Sequence, residues 1–207
     1  MAVMLTPEEE RTVSYKIKKS KFIASINSVN SKQKAIDYRD NIARKYRDAT
    51  HNVWAYRIKS GQQTREYSDD DGEPAGSSGS PVLQKIIGNN LINTIIVINR
   101  YFGGIKLGIG GLIRAYGTAA ELVIQEVSIK QLQSVYRLMV IVNYDQLGIV
   151  LGQIESMAEK ILATEYNNSG CNIFFVLKKD YFTKLQDKLI NVSGNQVVIK
   201  KLKLFMS

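Results

Sequence analysis

The sequence predicts two α+β domains, one over residues 1–131 and the other over 132–207. Three observations lead there. Strand-like and helix-like hydrophobic periods interleave along the chain. Eleven of the 15 glycines lie between Gly61 and Gly117. The C-terminal part reads strand, helix, strand, strand, helix, strand, which is the split βαβ layout.

The elements follow in order. Thr12–Lys18 and Lys21–Val29 alternate and predict two strands joined tightly near Lys19-Ser20. Ser31 suits an N-cap, and Ala35, Ile36, Ile42 and Tyr46 fall at helical spacing up to about Arg47. Val53–Ile58 predicts a strand that turns at Ser60-Gly61 into a partner near Thr64–Tyr67. A polar loop, SDDDGEPAGSSGS, leads to Ser80-Pro81, where proline at the first helical position loses no needed N–H. That helix should end near Gly88-Asn89. Asn93–Tyr101 is apolar on both faces and rich in branched residues, as a central strand requires. After the bend GGIKLGIGG, Leu112–Val127 returns to helical periodicity.

In the second domain Val135–Asn143 predicts a strand and Asp145–Ala158 a helix with Asp145 as its N-cap. Lys160–Tyr166 and Asn172–Lys179 form a hairpin around Asn167-Asn168-Ser169-Gly170, because Asn and Gly tolerate turn conformations. Tyr181–Val192 predicts a second helix and Gln196–Leu204 a last strand.

Composition narrows the function classes. With 207 residues, 44% hydrophobic and 23% charged, the chain reads as ordinary globular protein. It carries 28 Lys+Arg against 19 Asp+Glu, a net +9, which points to nucleic acid, the ribosome or an anionic membrane as partner. Before residue 132 there are 19 basic and 13 acidic side chains, and after it 9 and 6, so the excess is shared. One His (His51) and one Cys (Cys171) leave no disulfide framework and no usual His/Cys zinc site, so neither metal nor cofactor is expected. Apolar runs stay short of the roughly 20 residues of a membrane span. MAVMLTPEEER is too acidic for a signal peptide. A cytoplasmic location is expected, with no membrane partner.

The glycine-rich stretch RYFGGIKLGIGGLIRAY, residues 100–116, carries the main functional expectation. Gly103, Gly104, Gly108, Gly110 and Gly111 let backbone N–H groups approach a ligand, and a helix start at Gly110-Gly111 favours an anion. Arg100, Lys106 and Arg114 add three cations. Neither a Walker loop nor a dinucleotide fingerprint is present, since Ile113 stands where GxGxxG needs glycine. A tight strand-to-helix connection is the plain alternative.

Opposite in character is the acidic loop with Asp69, Asp70, Asp71 and Glu73. Carboxylates this close must be solvated, hydrogen-bonded or paired. A solvated turn is one reading; a cleft in which Asp70, Asp71 or Glu73 meets Arg100 or Arg114 is the other. His51 suits capping or packing, or acid–base work with Ser77 or Ser78 and Asp70, although no GxSxG elbow supports that. Trp54, Tyr56, Tyr101, Phe102 and Tyr116 lie near basic residues, where rings can stack on bases, yet most of them should belong to the core.

Three segments, DATHNVWAYRI (48–58), DDGEPAGSSGSPVL (70–83) and INRYFGGIKLGIGGLIRAYG (98–117), resemble the IMPACT family in its bacterial YigZ/YvyE form. The resemblance covers nearly the whole chain. It implies an N-terminal domain similar to the fourth domain of elongation factor G and a C-terminal ferredoxin-like domain similar to that factor's fifth. It also implies a link to translational control, since eukaryotic relatives are associated with the ribosome. The expected function is therefore a translation-associated regulatory protein binding RNA or the ribosome. Arg100, Gly103, Gly104, Lys106, Gly110, Gly111 and Arg114 would meet phosphate, and His51, Asp70, Asp71, Glu73 and Tyr116 would line the adjoining cleft. The alternatives are a small dipeptidase-like hydrolase using His51 with nearby carboxylates, and a protein-interaction module without RNA. No catalytic residue and no oligomeric state is assigned.

Overall fold

The computed structural model describes residues 4–60, 63–194 and 196–206. The chain divides into two compact units, Met1–Leu132 and Gln133–Ser207.

Five antiparallel strands form the main sheet of the first unit. These are β2 (Arg11–Ile17), β3 (Ser20–Ser28), β4 (His51–Ser60), β5 (Gln63–Asp69) and β6 (Thr94–Tyr101), following the short β1 (Leu5–Pro7). Their order is β2-β3-β6-β4-β5. The branched run of β6 is at the centre, buried along nearly its whole length, as its two-sided hydrophobicity predicts. Its alternate residues feed two cores. Ile96 and Ile98 pack with helices α2 (Gly79–Gly88) and α3 (Ile109–Glu126), and Ile95 and Val97 pack with α1 (Lys32–Lys45) on the other face. β3 and β4 both pair antiparallel to β6, so α1 crosses over the central strand.

Several boundaries differ from the sequence reading for identifiable reasons. Lys18 and Lys19 both have positive φ and form a two-residue turn closed by Ile17 opposite Ser20, one residue earlier than expected. β4 starts at His51 rather than Val53, which places His51 opposite Arg100. Of the expected Ser60-Gly61 turn, Ser60 is the last residue of β4 and Gly61 lies outside the described residues. α2 starts at Gly79, with Pro81 still within its first turn. α3 starts at Ile109, one residue before the start expected at Gly110-Gly111 and a turn before the apolar period resumes at Leu112, so the non-helical part of the glycine segment ends at Gly108. The pairing of β1 with β7 (Ile129–Gln131) was not foreseen, because three-residue strands carry no period.

In the second unit β8 (Ser134–Val142), β9 (Lys160–Asn167), β10 (Gly170–Lys178) and β11 (Val198–Met206) form an antiparallel sheet in the order β11-β8-β10-β9. Helices α4 (Tyr144–Glu155) and α5 (Phe182–Ser193) cover one face, where Leu138, Val140, Ile173, Phe175, Val150 and Leu189 make the core. Asp145 is not the N-cap of α4. Asn143 occupies that position, and Asp145 lies in the first turn. No described helix is long and apolar enough to cross a membrane.

Candidate functional site

The acidic loop is a folded element in which the Glu73 carboxylate is buried, Asp70 is partly buried and Asp71 is exposed. Positive φ at Asp71 and Gly72 bends the chain back on itself. Asp70 then accepts hydrogen bonds from the Gly76, Ser78 and Gly79 N–H groups and from the Ser78 hydroxyl, at 2.6–3.0 Å. Burial raises its pKa, but these four donors outweigh it and hold the carboxyl below the ordinary aspartate value. Asp70 thereby caps α2, whose own N-cap residue Ser78 makes no side-chain cap bond. Asp71 Oδ2 accepts from the Asn52 N–H at 2.6 Å.

Glu73 is the centre of the cluster. Its Oε1 accepts from Arg100 Nη1 at 2.6 Å and from the Tyr116 hydroxyl at 2.8 Å. Burial first, and the Glu73 carboxylate second, push the Tyr116 phenol far above the usual tyrosine range. His51 Nδ1 lies 2.8 Å from the Asp71 carbonyl oxygen, which can only accept, so this nitrogen carries the proton. The other ring nitrogen then faces Glu73 Oε1 at 3.9 Å. Gly72 packs against the imidazole, 3.7 Å from where its Cβ would lie. Ser78 is engaged with Asp70, and among the described hydrogen bonds none joins His51 to Ser77 or Ser78.

His51, Asp70, Asp71, Glu73, Arg100 and Tyr116 are therefore brought together, but as a closed frame rather than an open cleft. Arg100 departs from the sequence expectation. It is 4% exposed, paired with Glu73 and packed near the Phe22 and Phe102 rings, so its guanidinium does not face a ligand in solvent. Tyr116, Trp54 and Tyr56 are likewise core residues. The signal for the Glu73 contacts was available only as proximity of charge types.

What the frame positions is the glycine segment. Arg100 precedes it and Tyr116 follows it, so Glu73 ties both of its flanks to the acidic loop. Gly103 is required at its start: a Cβ there would sit 2.0 Å from the Lys19 carbonyl oxygen, at the β2–β3 turn. Gly104 and Gly108 have φ of +82° and +71°. From Gly108 the chain enters α3, whose first intrahelical N–H is that of Leu112, bonded to the Gly108 carbonyl. The N–H groups of Ile109, Gly110 and Gly111 lie outside the helical ladder. Lys106 and Arg114 are exposed around this end. Phe102, Ile105, Ile109 and Ile113 are exposed as well, an apolar feature that the sequence reading missed. Among the described residues no group of three or more His, Cys, Asp or Glu side chains is placed to hold a metal ion.

The sequence matches the family described as the Impact N-terminal domain over residues 18–124. It is 43% identical over 105 residues to the IMPACT family member YvyE of Bacillus subtilis, a match covering 51% of this chain and 48% of that relative. It is 32% identical over 171 residues to the IMPACT family member YigZ of Escherichia coli, covering 80% of this chain and 82% of the relative. A crystal structure described as that of a hypothetical protein is similar over 98% of both chains, with 25% identity and a TM-score of 0.75.

Proposed function

The chain belongs to the IMPACT family, in its bacterial YigZ form, and on that premise we propose a translation-associated regulatory protein that binds RNA or the ribosome. The observation that carries the reading is the end of α3, where Lys106 and Arg114 surround backbone N–H groups that no helical carbonyl satisfies. Phosphate suits that combination of fixed N–H dipoles and exposed cations. Arg100 holds the segment in place from within, through Glu73. The net charge of +9 supports an anionic partner.

The finer fold likenesses are part of the same proposal. The order β11-β8-β10-β9, with two helices on one face, supports a ferredoxin-like second unit. The sheet of the first unit, with its crossover helix, is compatible with the fourth domain of elongation factor G. A cytoplasmic location follows from a partner of this kind.

The test is sedimentation of the full chain with ribosomes, and filter binding to ribosomal RNA, each at two salt concentrations. Affinity should fall steeply with salt, because bound cations displace the counterions of the phosphates. Binding that ignores salt, or no binding at either concentration, overturns the reading. A second reading, docking to a protein, is favoured by the exposure of Phe102 (45%) and Ile109 (61%) beside the cations. Partners recovered from nuclease-treated extract, and lost on Ile109→Ser, would support it instead.

A further inference from the structure

We infer that the first unit holds a separate site for an unpaired nucleotide of single-stranded RNA, in the groove between α1 and strands β4 and β5. It shares with the function proposed above the premise of an RNA partner, but not the site. The groove is on the α1 face of the sheet, opposite the face that α3 covers.

Its shape comes from the edge of the sheet. β5 is the edge strand, and α1 packs on β4 and β6 beside it. A groove of about 250 Å³ remains, and a second hollow of about 110 Å³ shares Lys32 and Tyr56 with it. Together they reach the lower end of small-molecule clefts, about 300 Å³. That is room for a base and its phosphate, not for a folded duplex.

The floor is aromatic and rigid. Tyr67 is 42% exposed, and its ring stacks on Tyr56 at 5.6 Å with an interplanar angle of 20°. Trp54 lies beside it, 4.9 Å between centroids, and is braced from above by the Arg39 guanidinium at 5.0 Å. An exposed ring stacked on buried Tyr56 and flanked by tilted Trp54 offers a base a stacking partner with little to reorganise.

The rim is cationic in a way that folding alone does not favour. The first turn of α1 contains Lys32 and Lys34 and no acid, although the positive end of a helix dipole disfavours cations. Ser31 caps only the Lys34 N–H. Arg65 lines the far end of the second hollow. A phosphate there would be met by the dipole, by free N–H groups of the first turn and by these cations together. At the other end Asp69 lines the groove; its carboxylate accepts from the Tyr67 hydroxyl at 3.2 Å and from the Asp71 N–H at 2.9 Å, and its remaining lone pairs can accept from the N–H edge of a base. The groove thus combines the cations Lys32 and Arg39 with one carboxylate, Asp69, around one aromatic floor. Bases in a duplex are stacked away from such a floor, which selects the single strand.

The single tryptophan of the chain is Trp54, so its fluorescence reports this groove alone. The probe is a single-stranded oligoribonucleotide of about eight nucleotides, titrated into the full chain. Saturable quenching is expected. Tyr67→Ala should weaken it about tenfold or more, the usual effect of losing one stacked ring. Lys32→Glu should weaken it further and flatten its salt dependence. Tyr67→Phe keeps the ring and should bind as the wild type does, which separates stacking from folding. The Lys106→Glu/Arg114→Glu variant should lose ribosome binding yet keep the quenching, so the two proposals fail separately. Absence of quenching, quenching untouched by Tyr67→Ala and Lys32→Glu, or an equal response to duplex RNA or to a free mononucleotide overturns the inference.

Discussion

Glu73 and Arg100 form an ion pair at 2.6 Å with side chains only 4% and 5% exposed. One partner comes from the acidic loop and the other from the last turn of the central strand before the glycine segment. Removing the carboxylate strands the cation where water cannot replace it, a loss on the order of 3–5 kcal/mol. Glu73→Ala should therefore lower the unfolding free energy by that amount, read from urea melts. Arg100→Ala should cost a similar amount, and the double variant should cost less than the sum. Additive losses would show that the pair is not coupled.

Tyr116 makes the weaker half of the same junction. Its hydroxyl donates to the carboxylate oxygen that Arg100 also uses, at 2.8 Å. A hydrogen bond to a charged acceptor contributes about 1.5–3 kcal/mol. Tyr116→Phe keeps the edge-on packing against Phe22 at 5.1 Å and removes only the bond. Calorimetry should find a loss within that range, and the ring packing should be unchanged by near-ultraviolet dichroism.

Two glycines of the same segment should behave differently. At Gly103 an added Cβ would lie 2.0 Å from the Lys19 carbonyl oxygen and 2.6 Å from the Ser20 nitrogen, both backbone atoms that cannot move aside cheaply. Gly103→Ala should destabilise by about 1–3 kcal/mol or more, as overpacking does. It should also displace the β2–β3 turn, seen as shifted amide resonances of Lys19 and Ser20. Gly104 meets nothing within 4 Å, so Gly104→Ala should cost only the strain of its positive φ, about 1–2 kcal/mol, and leave those resonances in place.

These residues also show what a sequence can and cannot convey. The branched run of β6, the hairpin at Asn167–Gly170 and the order of the second unit were legible, because each is written in a local period or turn. The glycine segment was legible as a place where backbone must approach something. At Gly103 that partner is the Lys19 carbonyl, contributed by a turn 84 positions earlier. The pairing of Glu73 with Arg100 was one of the two readings that the charge types allowed, and the structure decides for it; the cap that Asp70 makes was not legible, since it depends on backbone donors at Gly76, Ser78 and Gly79. The start of α3 was legible to within one residue, at Gly110-Gly111 against Ile109, although its apolar period resumes only at Leu112. The groove of Lys32, Trp54 and Tyr67 escaped notice for a related reason: no motif joins a helix start to an edge strand.

Lys106 and Arg114 carry the salt dependence of the proposed RNA contact. Both are exposed, and no described ion pair engages either, so neutralising them should leave thermal stability within about 0.5 kcal/mol. Each phosphate contact removed should reduce the slope of log affinity against log salt by about 0.7–0.9. Lys106→Ala/Arg114→Ala should flatten the slope by roughly twice that, measured by filter binding over a salt series. A parallel downward shift with an unchanged slope would mean that the two cations do not meet phosphate.

Asp70 gives the fold a defined response to acid. Its carboxyl is held below the ordinary value by the four donors around it, against the opposing effect of burial. A carboxylate with a depressed folded pKa stabilises above its unfolded pKa, and that stabilisation is lost as pH falls through the folded value. At neutral pH the wild type should therefore melt well above Asp70→Asn, which still fills the site but presents an amide to the N–H groups of Gly76, Ser78 and Gly79. On acidification the gap between the two should narrow, because protonation removes the charge that caps α2. Titration of the other carboxylates is common to both chains and drops out of the difference. Melting temperatures recorded from neutral pH down into the carboxylate range would test this, and a gap that stays constant or widens in acid would mean that Asp70 stabilises the loop by shape rather than by charge.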